Sequence, residues 1–193
     1  MTPVASFFWR KLDQPGHDSC RLLALPAGWL LSGASVFREG ARACHLQYEV
    51  TADAVWRTTR ARVTGYVGNT PVDLRIQATR RSVWTLDGEP QPQLAGCLDV
   101  DLGFTPATNL LALRRLSLRS GEQAETHAAY LAFPSLKMRS LLQRYQRLDG
   151  THYAYASPVH GYSATLEVAR SGAVVDYPGL FEMMGRHPGR RDG

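Results

Sequence analysis

The chain has 193 residues, 44% hydrophobic and 20% charged, with a net charge of +5 at pH 7. This describes an ordinary soluble globular protein, built as one large domain or as two small halves sharing a core. Its positive charge is carried by scattered arginines, with Lys11 and Lys137 as the lysines. That argues against a disordered nucleic-acid-binding tail and for anionic partners.

Taken in order, the chain keeps giving strand signals. Phe7–Leu12 reads as an edge strand. Leu22–Ala34 has the superficial look of a signal h-region, but Pro26-Ala27-Gly28 splits it. It reads instead as parts of two strands, Cys20–Leu25 and Trp29–Phe37, joined by a tight turn. No run reaches membrane-spanning length, so a cytoplasmic location is expected. In Ala43–Thr51, Cys44, Leu46, Tyr48 and Val50 alternate against His45, Gln47 and Glu49. Trp56–Tyr66 is polar and β-branched, Val72–Ala78 alternates again, and Val83–Leu86 follows a turn at Arg80-Arg81-Ser82. Glu89–Gln93, EPQPQ, reads as a loop or linker.

The chain is organised around Cys97–Arg119. Leu98, Val100, Leu102 and Phe104 point one way, and Cys97, Asp99 and Asp101 the other. Thr105-Pro106 breaks this strand, and Thr108 and Asn109 are suited to holding a turn. Leu110–Leu118 then reads as a second extended run, with Arg114 and Arg115 on opposite faces. Two carboxylates beside a pair of arginines are costly unless they meet each other or a ligand.

In the second half, Glu125–Phe133 is extended. Leu136–Leu148 has helix propensity, whereas its place after Pro134 parallels the strand at Trp56–Tyr66. Thr151–Tyr155, Ser163–Val168 and Val174–Tyr177 read as strands, and the Arg-, Pro- and Gly-rich residues 185–193 as a flexible tail. Leu74–Gly88 and Leu166–Gly179 share a strand–turn–strand–Gly pattern, which suggests an internal duplication with halves at about 7–95 and 96–182.

The chemistry of the sequence is sparse. Cys20, Cys44 and Cys97 have no CxxC spacing, so neither a disulfide framework nor a zinc site is expected. No GxSxG elbow or Gly-rich phosphate loop is present. No metal, cofactor or nucleic-acid partner is therefore expected. Asp99 and Asp101, roughly 7 Å apart on one strand face, leave open a hydrolase or isomerase reading, although no third group completes a site. The aromatics are the better clue. Trp56, Trp84, Tyr145 and Tyr177 lie on strands or their ends and join an apolar body to a polar tip, as a site for an acyl chain and a sugar requires. Arg60, Arg114 and Arg115 suit bidentate contact with a phosphate or carboxylate headgroup. A β-sheet interaction module with an exposed edge is a third reading.

Residues 96–118, GCLDVDLGFTPATNLLALRRLSL, resemble the signature of a bacterial family described as glycolipid-binding and formerly known only as a domain of unknown function. Tyr48 with Trp56-Arg57, Trp84-Thr85-Leu86-Asp87-Gly88, Phe133-Pro134, Gln143-Arg144-Tyr145 and Val175-Asp176-Tyr177-Pro178-Gly179 agree with it, so the resemblance spans roughly residues 7–182. Two departures are the absence of Pro and a β-branched residue at Ala112 and Leu113, and of an acidic residue near Arg170. The resemblance implies an all-β fold, an antiparallel roll or open barrel curled from two similar halves, akin to bacterial lipoprotein carriers. It also implies a lipid or glycolipid ligand in a β-walled apolar cavity. The residues expected at the site are Asp99, Asp101, Thr105, Thr108, Asn109, Arg114, Arg115, Arg60, Trp56, Trp84, Tyr145 and Tyr177. Asp99, Asp101, Thr108, Asn109 and Arg115 are expected to form one polar cluster at the mouth. Replacing Arg115 by Gln is expected to weaken binding while sparing stability.

Overall fold

The computed structural model describes residues 1–79 and 81–188. Among them, fifteen strands form one sheet. The strands β1 (Thr2–Lys11), β2 (Gly16–Leu25), β3 (Gly28–Glu39), β4 (Arg42–Asp53), β5 (Thr58–Val67), β6 (Thr70–Ala78), β7 (Trp84–Leu86) and β8 (Glu89–Pro90) walk from mid-sheet to one edge. A 3-10 turn at Pro92–Leu94 leads to β9 (Asp99–Leu102) at the opposite edge, followed by the helix α1 (Asn109–Leu116). Then β10 (Gln123–Ala132), β11 (Lys137–Arg147), β12 (His152–Ser157), β13 (Tyr162–Val168), β14 (Val174–Tyr177) and β15 (Phe181–Pro188) walk back until β15 pairs with β1.

Alternation sets the register. In β4, Cys44, Leu46, Tyr48, Val50 and Ala52 are buried while Gln47 and Glu49 are exposed. Each large apolar side chain removed from water contributes roughly 2 kcal/mol. A slip of one residue would turn the whole set outward, so the register is strongly specified. Where the apolar face lies follows from the curl of the sheet. At the start of β5, the Thr58 N–H donates to the Leu98 carbonyl (3.0 Å) and the Thr58 hydroxyl oxygen accepts from the Val100 N–H (2.9 Å). The far edge thus comes round to touch the first half, and the sheet stays open, with β8 and β9 as its two edges. Two buried indoles tie distant segments, Trp9 donating to the Val174 carbonyl (2.7 Å) and Trp84 to that of Cys97 (3.0 Å).

The expectation of strand throughout fails at Leu110–Leu118, which is largely helical. Leu110, Leu111, Ala112 and Leu113 are all buried. Consecutive burial suits a short helix with apolar residues around much of its circumference, and pairing with a sheet neighbour is not needed. Arg114 and Arg115 fall in its last turn, where positive charge suits the helix dipole. Ser117 closes it in a left-handed conformation (φ 46°).

Phe7–Leu12 is likewise no edge. Most of it lies in β1, flanked by β2 and β15, because the C-terminal strand returns to the middle of the sheet. The expected tail begins inside β15, which pairs as far as Ala5↔Pro188; its remainder, 189–193, lies outside the described residues, as does Arg80 of the expected turn. The sheet is mostly antiparallel, but β9 runs parallel to β10 because the chain crosses over before entering it. Leu136–Leu148 resolves to a strand: β11 pairs with β10 in unbroken register from Gln123↔Gln146 to Ala132↔Lys137, and this pairing overrides helix propensity. The loop expected at Glu89–Gln93 contains the two-residue β8 and the start of the 3-10 turn. No helix among the described residues is long and apolar enough to cross a membrane.

Candidate functional site

The helix α1 and the turn before it pack into the same apolar core as the strands of both halves. They are tied there by three polar groups. The first surrounds Asp18, which is buried on β2. Its carboxylate accepts from the Ser35 hydroxyl and from the Tyr48 hydroxyl (2.8 Å). Thr105 donates to the Tyr48 oxygen (3.1 Å), linking the turn before α1 to the first half of the sheet. Tyr48 lies against Gly33, its cross-strand partner, where any Cβ would collide with the phenol ring. Burial pushes the Asp18 carboxyl up to about 6 against the pull of these hydrogen bonds.

The second group ties α1 to the other half. Gln143 donates to Asp101 (2.7 Å) and to the Tyr155 hydroxyl (3.3 Å). Tyr145 donates to Gln143 (3.3 Å), and Asn109, at the start of α1, donates to Tyr145 (3.3 Å). Burial raises the Asp101 carboxyl to about 6. In the third group, Arg115 forks onto Asp99 with contacts of 2.5–3.0 Å and donates to the Thr126 hydroxyl at 2.7 Å. The Asp99 side chain is 2% exposed and that of Arg115 13%.

Beyond the last turn of α1 the roll opens into a cavity of about 440 Å³. Its lining includes Leu113, Tyr153, Val168, Ala169 and the largely buried Trp56, together with Arg114, Arg147 and Arg170. Asp53 builds the turn that presents Trp56, accepting at its carboxylate from the N–H groups of Val55 (3.0 Å) and Arg57 (2.8 Å). Trp56 is held in the left-handed region (φ 69°), uncommon for a bulky residue. Its ring stacks on Trp29 (centroids 4.3 Å apart, 9° between planes) and carries the Arg114 guanidinium 5.0 Å from its centroid.

The expected site residues therefore separate. Asp99 and Arg115 meet directly, while Asp101 and Asn109 belong to the Gln143–Tyr145 group. The Thr108 hydroxyl accepts from the Leu102 N–H (3.2 Å), and Asn109 reaches Tyr145. Thr105 joins the Asp18 group through Tyr48. Trp84 is buried against Cys97. Tyr177 packs in the core against Tyr155 and Tyr162. Arg60 sits exposed on β5, its Nε donating to Thr51 (3.1 Å). Only Trp56 and Arg114 line the mouth.

A family model described as "Putative glycolipid-binding" matches residues 6–183. The chain belongs to this family. It is also similar to a crystal structure of a DUF1089 family protein from Pseudomonas aeruginosa, with 32% identity and a TM-score of 0.76, covering 86% of this chain and 91% of that one. No curated protein matches.

In this glycolipid-binding family member, sequence reasoning missed Asp18, Gln143, Arg147 and Arg170. For the first two a signal existed. Asp18 shares strand parity with buried Cys20 and Leu22, and Gln143 with buried Leu141 and Tyr145, so both had to point inward. Arg147 and Arg170 carry no such mark, because their place at the mouth depends on the curl of the sheet. Two larger depressions, of about 800 and 670 Å³, lie over β10–β13 and β1–β5; the lining of the first includes Tyr145, Tyr155 and Arg144, so the expected Tyr145 lies there and not at the mouth beyond α1. Among the described residues no group of three or more His, Cys, Asp or Glu could hold a metal ion.

Proposed function

We propose that the protein binds a lipid-type amphiphile, a lipid or glycolipid, at the mouth beyond α1. The acyl chain lies against Leu113, Val168 and Ala169, and the polar head meets Trp56 and the arginines. One observation carries this reading: a cavity whose lining joins Trp56, Leu113 and Val168 to three arginines, in a member of a family described as glycolipid-binding. The volume suits a headgroup and the first part of a chain. The apolar side of α1 fills the space where a β-walled cavity was expected. The Asp18, Asp101 and Asp99–Arg115 groups hold α1 in place in this account. Both oxygens of Asp99 are engaged by Arg115, which supports a structural over a catalytic role for that carboxylate. The three cysteines are free and buried, compatible with work in the cytoplasm.

Filling the mouth tests this. Ala169→Trp should weaken binding of a glucosyl lipid bearing a fluorophore on its acyl chain by about tenfold or more, equivalent to roughly 1.4 kcal/mol, with an unchanged far-UV spectrum. Unchanged affinity in a folded Ala169→Trp protein would place the ligand elsewhere.

A further inference from the structure

We infer that the headgroup taken at this mouth is anionic, a phosphate, sulfate or carboxylate, and that Arg114 and Arg170 are the residues that grip it; this rests on the lipid-binding reading above. Among the described residues, the lining of the mouth contains three arginines and no Asp or Glu. Elsewhere four arginines meet acids, Arg10 with Glu182, Arg62 with Asp73, Arg115 with Asp99 and Arg144 with Glu125; what sets the mouth apart is three guanidinium groups around one cavity with no acid among them.

The three mouth arginines differ in what their donors do. Arg147 is committed to the protein. Its Nε donates to the Asp149 carbonyl (2.9 Å), Nη1 to that of Leu118 (2.8 Å) and Nη2 to that of Gly150 (3.1 Å), and its guanidinium lies 5.6 Å from the Tyr153 ring centroid. It is a fixed positive wall with its main donors used. Arg114 makes no side-chain hydrogen bond or ion pair among the described residues, yet it is positioned. Its guanidinium rides on Trp56, and its stem runs past Gly172 (φ 92°), where an added Cβ would lie 2.8 Å from Arg114 Cγ and Cδ. Arg170 is exposed and has no ion pair among the described residues.

Three guanidinium groups around one cavity repel one another, and a bound anion converts that repulsion into attraction. A planar guanidinium with open donors matches two oxygens of a phosphate or carboxylate at once. Stacking on an indole holds that fork ready, because the ring attracts the cation and restricts its motion.

The test uses the full chain and three probes: a lysophosphatidylglycerol, a neutral glucosyl monoacylglycerol with the same acyl chain, and free glycerol 3-phosphate. The wild type should bind the anionic lipid about tenfold or more tightly than the neutral one, a difference near 1.4 kcal/mol, and lose the preference at high salt. Arg114→Gln with Arg170→Gln should abolish the preference, bringing the affinity for the anionic lipid down about tenfold to that for the neutral one, with an unchanged far-UV spectrum. Arg170→Gln alone, at an exposed position that does not challenge folding, should reduce the preference. Equal affinity for both lipids in the wild type, or a preference that survives in the double variant, overturns the inference. If neither lipid binds, the lipid-binding reading falls. The anion site then stands only if glycerol 3-phosphate binds the wild type and not the double variant, and falls otherwise.

Discussion

Arg115→Gln should destabilise the protein by about 3–5 kcal/mol in urea unfolding, because it removes one partner of a buried ion pair and leaves the other uncompensated. The Asp99 carboxylate is almost wholly enclosed and receives the Arg115 fork at both oxygens. Burial already pushes the Asp99 carboxyl up, more than Arg115 pulls it down. Without the guanidinium, Asp99 must take up a proton or draw in water. Arg115 also spans β9, α1 and Thr126 of β10, so its loss loosens the end of the helix nearest the mouth. Adding Asp99→Asn should recover a large part of the loss, because no charge is then left unpaired. A change below about 1 kcal/mol, typical of an exposed ion pair, would show that the pair is not the tie described. This reverses the expectation from sequence, in which Arg115 lay on a strand and could face a ligand. On α1 it faces Asp99.

The second large effect is on pH. The unfolded carboxyl titrates near 3.8, whereas burial raises Asp18 and Asp101 to about 6 in the fold. Between these values the folded protein binds more protons than the unfolded chain, so stability rises as pH falls. The contribution is full below pH 3.8 and is lost as pH rises through about 6. For Asp18 a shift of this size corresponds to about 3 kcal/mol, and Asp101 acts with the same sign. Asp149, held down to about 2 by the N–H groups of Thr151 and His152 and by the His152 ring, acts oppositely, but only in strong acid. The melting temperature should therefore climb as pH is lowered from 7.5 to 5. The double variant Asp18→Asn with Asp101→Asn should be more stable than wild type at pH 7.5 and show a much flatter profile. A slope in the double variant equal to that of the wild type would mean that other groups govern the acid response.

Much of the sheet is legible in the sequence because a half-buried strand repeats every two residues. Cys44–Val50 and Val72–Ile76 announce both their strands and their inward faces. What is not legible depends on partners distant in the chain. Nothing local in Phe7–Leu12 says that Phe181–Pro188 will return to cover it. Nothing in LLALRRL distinguishes a buried strand from a short buried helix, since periodicity fails when nearly every position is apolar. The site divides in the same way. Asp99 with Arg115 could be expected to meet because a short turn separates them. The mouth draws Trp56, Arg114, Arg147 and Arg170 from four separated stretches, and only the curl of the sheet assembles them. The neglected signal was parity. A polar residue at an inward position, such as Asp18 or Gln143, is a hydrogen-bonding group that the core must satisfy.

The most direct test of lipid binding is native mass spectrometry of the full chain after incubation with a total bacterial lipid extract and removal of unbound lipid. The account predicts the mass of the chain plus one amphiphile, with that species strongly reduced in Ala169→Trp. A wild-type spectrum showing only the bare chain, from protein that unfolds cooperatively and is therefore intact, would contradict it.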